Sequence, residues 1–335
     1  MNKRLTILVV ILVVIALGGI VWNFWGPKPA PPSVVEKKVI TFAEGALTSP
    51  CYPITSAIVK VWNTYLPDIA ASSELAPGRL VDNLKEVEEG KYNFRWAMSS
   101  LAFYSYNGVK IEELKGKAMK SLRTIGAFWN HEVHIMVGAN SPITDISALK
   151  GKKIKVAVAA EKKWIAITAK EILGIQGIPG EDVEIVLVPL AEIAQTLKAR
   201  NADIGIVAFS VASKQADILR KATGLKFLPL SEDAIQKAKE KFPYYADGLI
   251  PANTYQNQPD DVKGLAIKGT IIVSKDMDSD LVYRLTKTIF AHLDEIKEAT
   301  PVAKDMSLEG ALEGIAIPLH PGAEKYYSEV GLISK

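Results

Sequence analysis

From residue 39 onward, short apolar runs alternate with segments whose apolar positions recur every three or four residues. Residues 39–42 read as a strand. Pro53 then opens a helix with apolar residues at Ile54, Ala57, Ile58, Val61, Trp62 and Tyr65. Residues 69–75 are strand-like, Leu80, Leu84 and Val87 mark a short helix, and residues 94–98 and 133–137 read as strands. After a turn at 140–142 a second series follows: strand 153–159, helix 165–173, strand 183–188, helix 191–198, strand 203–209 and helix 234–241. The described pattern closes with a long strand at 265–274 and a helix from Ser279 that carries Leu281, Leu285, Ile289, Leu293 and Ile296 on one face. Such alternation predicts an α/β fold with parallel or mixed sheets covered by helices. Two series in roughly 300 residues exceed one comfortable core, which predicts two lobes. Open α/β sheets bind ligands beyond the carboxyl ends of their strands, so two facing sheets predict a cleft.

The N-terminus follows a different pattern. Lys3 and Arg4 precede an apolar run over residues 5–21 that closes on Trp22, Phe24 and Trp25. As a helix, about 21 residues span roughly 31 Å, the thickness of a bilayer core. Positive charge before the run places the remainder of the chain outside the cytoplasmic membrane, and the tryptophans suit the outer interface. The length and the bulky flank favour an uncleaved anchor over residues 5–25; the alternative is a cleaved signal segment, with the soluble part then periplasmic or extracellular. Residues 1–26 are thus read as anchor or signal. Residues 27–38, with Pro27, Pro29, Pro31 and Pro32, form a Pro-rich linker, extended at ~3.1 Å per residue.

Bulk chemistry narrows the function. The 335 residues carry 40 Lys and Arg against 37 Asp and Glu, a formal charge of +3, with no basic run, which argues against nucleic acid as a partner. Cys51 is the one cysteine, so no intrachain disulfide framework exists. Its preceding Leu47-Thr48-Ser49-Pro50 lacks the small residue of a lipid attachment site. No phosphate loop and no Ser/His/Asp or Cys/His arrangement can be read, so no catalytic residues, enzyme activity or cofactor are expected. His131-Glu132-Val133-His134 lacks the spacing of a helical metal site, and period two in a strand sends the two histidines to opposite faces; no metal is expected there.

The candidate ligand residues sit at strand ends. In the loop after the first strand, between Gly45 and Tyr52, Thr48 or Ser49 can cap the first helix, and the free N–H groups there favour an anion; the alternative is a structural cap alone. Met98, Ser99 and Ser100 end another strand, where the hydroxyls either bond a ligand or cap the next helix. Glu161, Lys162, Lys163 and Trp164 open a helix of the second series, where lysines oppose the helix dipole; the alternative is a solvated turn.

Further stretches carry a resemblance: Phe242-Pro243-Tyr244-Tyr245, Ile250-Pro251-Ala252-Asn253-Thr254-Tyr255 with Gln258 and Asp260-Asp261-Val262, the helix Leu281-Val282-Tyr283-Arg284-Leu285-Thr286-Lys287, the run Pro318-Leu319-His320-Pro321-Gly322-Ala323-Glu324-Lys325-Tyr326-Tyr327, Asp145-Ile146-Ser147-Ala148-Leu149-Lys150-Gly151-Lys152-Lys153-Ile154, and Tyr106-Asn107-Gly108. Over roughly residues 39–330 the chain resembles the TAXI receptors of TRAP transporters. That resemblance implies a two-lobed type II periplasmic-binding-protein fold, with residues 39–138 plus 246–335 as lobe I and 139–245 as lobe II. It also implies capture of a small organic acid or amino-acid-like solute, handed to TRAP permease membrane subunits for secondary uptake. The family's ligand loops are altered, however. Its first glycine-rich loop stands here as residues 44–53, its second as residues 157–163, its Q-S-D as Met98-Ser99-Ser100 and its G-x-P as Ser210-Val211-Ala212. Fewer glycines mean fewer closely approaching backbone N–H groups. The altered loops suggest that Lys162 or Lys163 supplies a point charge instead and that Trp164, Tyr52 or Trp129 lines an apolar wall. The competing expectation is a membrane-anchored sensor or scaffold of the same fold without transport.

Overall fold

The computed structural model describes residues 36–45, 47, 49, 51–76, 80–160 and 164–334. The expected anchor at 5–25 and most of the linker lie outside these residues. Among the described residues no helix is long and apolar enough to cross a membrane.

Among the described residues, ten strands form one mixed sheet. The first half is built on β1 (Lys38–Glu44), β2 (Ile69–Leu75) and β3 (Phe94–Met98), the second on β5 (Ile154–Ala159), β6 (Val183–Val188) and β7 (Ile204–Phe209). Two long strands, β4 (Leu122–Gly138) and β10 (Val262–Ser274), run antiparallel through both halves and give the order β2-β1-β3-β10-β4-β7-β5-β6. Short β8 (Leu225–Phe227) adds to β4, and β9 (Tyr245–Ile250) to β10. The parallel pairs β1–β2, β1–β3, β5–β6 and β5–β7 are those expected of crossover connections through helices. The helices are α1 (Tyr52–Tyr65), α2 (Leu80–Glu88), α3 (Ser99–Asn107), α4 (Ile165–Ile175), α5 (Ile193–Lys198), α6 (Lys214–Lys221), α7 (Glu232–Lys241), α8 (Ser279–Ala291), α9 (Leu293–Lys297) and α10 (Pro321–Glu329). The molecule therefore has the two-lobed α/β architecture, with β4 and β10 as the strands common to both lobes.

Lobe I packs around aromatic rings. Phe42, Phe94, Trp96 and Trp62 meet at centroid distances of 5.3–6.2 Å, and the Trp62 indole N–H donates to the Leu285 carbonyl of α8 at 3.0 Å. Each buried side chain of this size contributes about 2–3 kcal/mol by leaving water. The Pro321-Gly322 pair is explained by close packing of α10 on α8: a Cβ at Gly322 would meet the Ser279 carbonyl at 2.2 Å. His320 Nδ1 accepts the Gly322 N–H at 3.1 Å, which caps the helix.

Several sequence expectations change. The strand expected at 133–137 extends over Leu122–Gly138, because aromatic and polar residues alike are buried along it. The single helix expected through Ile296 breaks at His292 into α8 and α9. One core cluster does not respect the lobes: it runs from Leu84, Leu101 and Tyr104 of α2 and α3 to Ile165, Ile172 and Ile235 of α4 and α7. On that face the two lobes share one apolar core rather than bordering an open cleft.

Candidate functional site

The carboxyl ends of β1, β3, β5 and β7 point to the middle of β4 and β10. Register fixes the level: Met98 at the end of β3 pairs with Gly269, Gly269 with Trp129, and Glu132 with Phe209 at the end of β7. Half-buried Cys51 and Met98 from lobe I and Ala212 from the turn after β7 all pack against the same aromatic core. A depression of about 610 Å³ lies against Asn130, Glu132, Val211 and Asp305. A smaller cavity of about 200 Å³, lined by Ala159, Ile165, Phe209, Gln215 and Ile218, opens at the ends of β5 and β7. A third, of about 570 Å³, touches Lys153, Ile154 and Asp203 at the amino ends of β5 and β7, which sets it apart from the strand-end site.

Glu132 lies at this junction, beside Asp305, Glu232, Asp247 and Lys263, and is 3% exposed. Its Oε2 accepts the Val211 N–H at 3.0 Å, which fastens the turn after β7 to the shared strand. Burial pushes the carboxyl up to about 7, against the pull of backbone hydrogen bonds. Two residues along, His134 is fully buried between the Glu132 carbonyl (2.8 Å from Nδ1) and the Tyr255 hydroxyl (2.7 Å from Nε2), and burial holds it down to about 4. The raised carboxyl gives stability that is complete below its unfolded value near 4.5 and lost as pH rises through 7. The depressed imidazole gives stability that is complete above 6.5 and lost as pH falls through 4. Glu132→Gln mimics the protonated carboxyl. The variant should match the wild type below pH 4.5 and exceed it above pH 7 by on the order of 2–3 kcal/mol, read by chemical denaturation across pH.

Elsewhere, α3 and α4 meet through a buried carboxyl. Glu171 of α4 accepts from Tyr244 at 2.7 Å, Tyr245 at 2.8 Å and Tyr104 of α3 at 3.3 Å, and Lys110 lies at 3.4 Å. Burial first, then the Glu171 carboxyl and the neighbouring tyrosines, push these hydroxyls above the usual phenol range, so they remain donors. Ser99 adds a second tie, donating to the Tyr244 carbonyl at 2.7 Å and accepting the Lys268 N–H at 3.1 Å.

The expected site residues are thus only partly united. Ser99 is buried and already bonded within the protein. Trp129 lines no cleft wall: it is 1% exposed, edge-on to Trp96 at 4.2 Å and seated on Gly269, because β4 is covered on both faces. Ser49 does not cap α1; the N-cap is Cys51, and Ser49 Oγ instead accepts the Cys51 N–H at 3.2 Å. Neither serine caps α3, whose N-cap is Met98. Ser100 is fully buried with no hydrogen-bond partner for its hydroxyl. Ser210 accepts the Ala212 N–H at 3.2 Å and shapes the turn beside Glu132. Gly45 is exposed, Tyr52 is half-buried, and Trp164 packs half-buried against the core shared by the lobes. Thr48, Glu161, Lys162 and Lys163 lie outside the described residues. Among the described residues no three His, Cys, Asp or Glu side chains converge as metal ligands; His131 lies by Trp129 (6.4 Å) and His134 by Tyr255 (5.5 Å), on opposite faces of β4. Glu132 and Glu171 were missed by sequence reasoning.

The profile of the NMT1-like family matches residues 42–331. Among solved structures, the chain is similar to a TctC solute binding protein from Polaromonas (15% identity, 81% of this chain, 88% of that one, TM-score 0.52). It is also similar to XAC2383 from Xanthomonas citri bound to chloride ion (12% identity, 87% of this chain, 95% of that one, TM-score 0.51). At these identities the likeness speaks to the fold.

Proposed function

The chain belongs to the NMT1-like family, and from that premise we propose that it is an extracytoplasmic solute-binding receptor of a transporter. The observation that supports this most is the meeting of strand ends from both lobes around Glu132, Ser210 and the half-buried Met98 and Ala212, next to two cavities. Such a site suits a small solute whose contacts are made by both lobes at once, so that binding favours the closed arrangement. No step of bond making or breaking is part of the reading. The resemblance of residues 242–262 and 318–327 to TAXI receptors supports the finer reading: a small organic acid or amino-acid-like solute, delivered to TRAP permease subunits. The apolar run at 5–25 supports an anchor that keeps the receptor near those subunits and raises its effective concentration there. Lys162 and Lys163 are proposed as charge donors to the solute on the altered-loop argument alone.

A second reading has a specific observation in its favour. The Glu171 cluster and the shared apolar core tie the lobes together on one face. Wide opening there would expose a buried carboxyl and three hydroxyls, which suits a membrane-tethered sensor or scaffold.

Thermal unfolding of the full chain with a panel of small carboxylates, amino acids and aromatic acids separates the two. Under the receptor reading, one class of solute at 100 times its Kd stabilises the protein by about 2.7 kcal/mol. A panel without any shift, on protein stripped of solute by denaturation and refolding, favours the scaffold.

A further inference from the structure

The cavity at the amino ends of β5 and β7 is set apart from the strand-end site and has a chemistry of its own. Leu149, Ile154 and Leu197 line it from the core and give it an apolar floor. Its rim carries Lys152, Lys153, Lys198 and Arg200, all exposed, against one carboxyl, Asp203. Asp203 Oδ2 already accepts the Lys155 N–H at 2.7 Å. Lys152 donates to the Ala148 carbonyl at 2.9 Å and Lys198 to the Thr223 hydroxyl at 3.0 Å, both neutral acceptors. Among the described residues, no side-chain hydrogen bond or ion pair engages Lys153 or Arg200. Four cations around one concavity, without a carboxylate paired to any of them, focus a positive field into it.

Arg200 separates this rim from an ordinary solvated surface. Helix α5 closes with the Arg200 N–H donating to the Leu197 carbonyl at 3.2 Å and the Asn201 N–H to the Thr196 carbonyl at 3.0 Å. That pair of bonds puts the residue after the C-cap Ala199 in the left-handed region, where glycine is usual. Arg200 stands there with φ at +59°. A side chain is strained in that conformation, so the chain gives up backbone stability to keep a guanidinium at this point. The helix dipole does not explain it, because Lys198 already places a cation in the last turn. Gly224, on the same cavity, has φ at +72°, and a Cβ there would stand 2.7 Å from Lys198 Cε; bare backbone seats the lysine stem beside the cavity. Lys152 and Lys153 belong to the run 145–154, whose only other role here is a family resemblance.

We propose that this cavity is a second binding site and that it takes a phosphate ester, with the phosphate among Arg200 and the three lysines and the organic part on the apolar floor. The site lies beyond the receptor reading and does not rest on it. A phosphate ester carries close to two negative charges and several strong acceptor oxygens, which a monocarboxylate lacks. The guanidinium fork matches two of those oxygens, and the lysines act as point charges. At about 570 Å³ the cavity falls within the roughly 300–1,000 Å³ of small-molecule sites. The ester is either a free solute or a lipid headgroup, which share this chemistry.

The test is calorimetric titration of the full chain with phenyl phosphate and with benzoate, in wild type, Arg200→Gly and Lys153→Gln. Flotation of the same proteins on phosphatidylcholine vesicles, with and without added phosphatidic acid, forms the second arm. Phenyl phosphate should bind wild type tenfold or more tightly than benzoate, and Arg200→Gly should lose tenfold or more. Arg200→Gly also relieves the left-handed residue, so its melting temperature should equal or exceed that of wild type while its binding falls. Lys153→Gln, at an exposed position without a partner, should weaken binding threefold or more and leaves the helix end untouched. Phosphatidic acid that raises the flotation of wild type above that of Arg200→Gly identifies a lipid headgroup, since both proteins share the apolar N-terminal run. Equal flotation of the two beside tight phenyl phosphate binding identifies a free ester. Phenyl phosphate binding unchanged within twofold in Arg200→Gly overturns the assignment, as does equal affinity of wild type for phenyl phosphate and benzoate. No phosphate binding together with no difference in flotation overturns it as well, and the strand-end reading stands whichever of these is found.

Discussion

Glu171→Ala should lower the melting temperature of the full chain by roughly 10 °C, the largest effect expected of any single polar substitution here. The carboxyl is the common acceptor for Tyr104, Tyr244 and Tyr245, which come from two segments of the chain. Removing it leaves the Tyr244 and Tyr245 hydroxyls without their acceptor and Tyr104 with the Tyr244 hydroxyl alone, at 3.2 Å; at about 1–3 kcal/mol for each lost acceptor where no water can enter, the cost is on the order of 3–5 kcal/mol together. Lys110 contributes less, because it is half exposed and water can solvate it. Glu171→Gln keeps one acceptor oxygen and should lose less than the alanine variant. The functional consequence differs between the two readings: a receptor whose lobes hinge about this tie gains mobility and loses affinity, whereas a rigid scaffold loses stability alone. Differential scanning calorimetry and solute titration on the same variant separate them.

Gly269→Ala is the second large effect. A Cβ there would stand 2.4 Å from the Trp129 indole, which has no room to retreat because Trp96 lies against it at 4.2 Å. Overpacking of this kind costs about 1–3 kcal/mol, a fall of several degrees in melting temperature. The double variant Gly269→Ala, Trp129→Leu should recover most of the loss, since the clash is with that ring; a double-mutant cycle that shows simple additivity would contradict the account of this contact.

Some of this was legible in the sequence and some was not. The bounds of β2 and β3 are those expected, and α4 and α7 follow from helical spacing, because each of these helices buries one clear stripe. β4 was read too short because Asn130, His131 and Glu132 interrupt the apolar run, although a strand covered on both faces buries polar residues too. α3 was expected only as a helix following residue 98, without bounds, because Ser99, Ser100 and Ser105 sit on its buried side, which leaves almost no amphipathic signal. The site divides the same way. Strand-end turns were found through topology, but Glu132 and Glu171 were not, since each is a charged residue in a pattern that predicts exposure. Tyr244-Tyr245 was legible only as part of a family motif; that the pair shares one carboxyl from a helix some seventy residues away is a long-range fact that no local pattern holds.

The central claim is that this chain captures a small solute, and native mass spectrometry of the full chain, purified without denaturation, tests it most directly. The account predicts a one-to-one adduct of small mass that is released on denaturation, bears a carboxylate and rebinds to the refolded protein. A spectrum of bare protein, together with no rebinding of any solute extracted from the source cells, would contradict it.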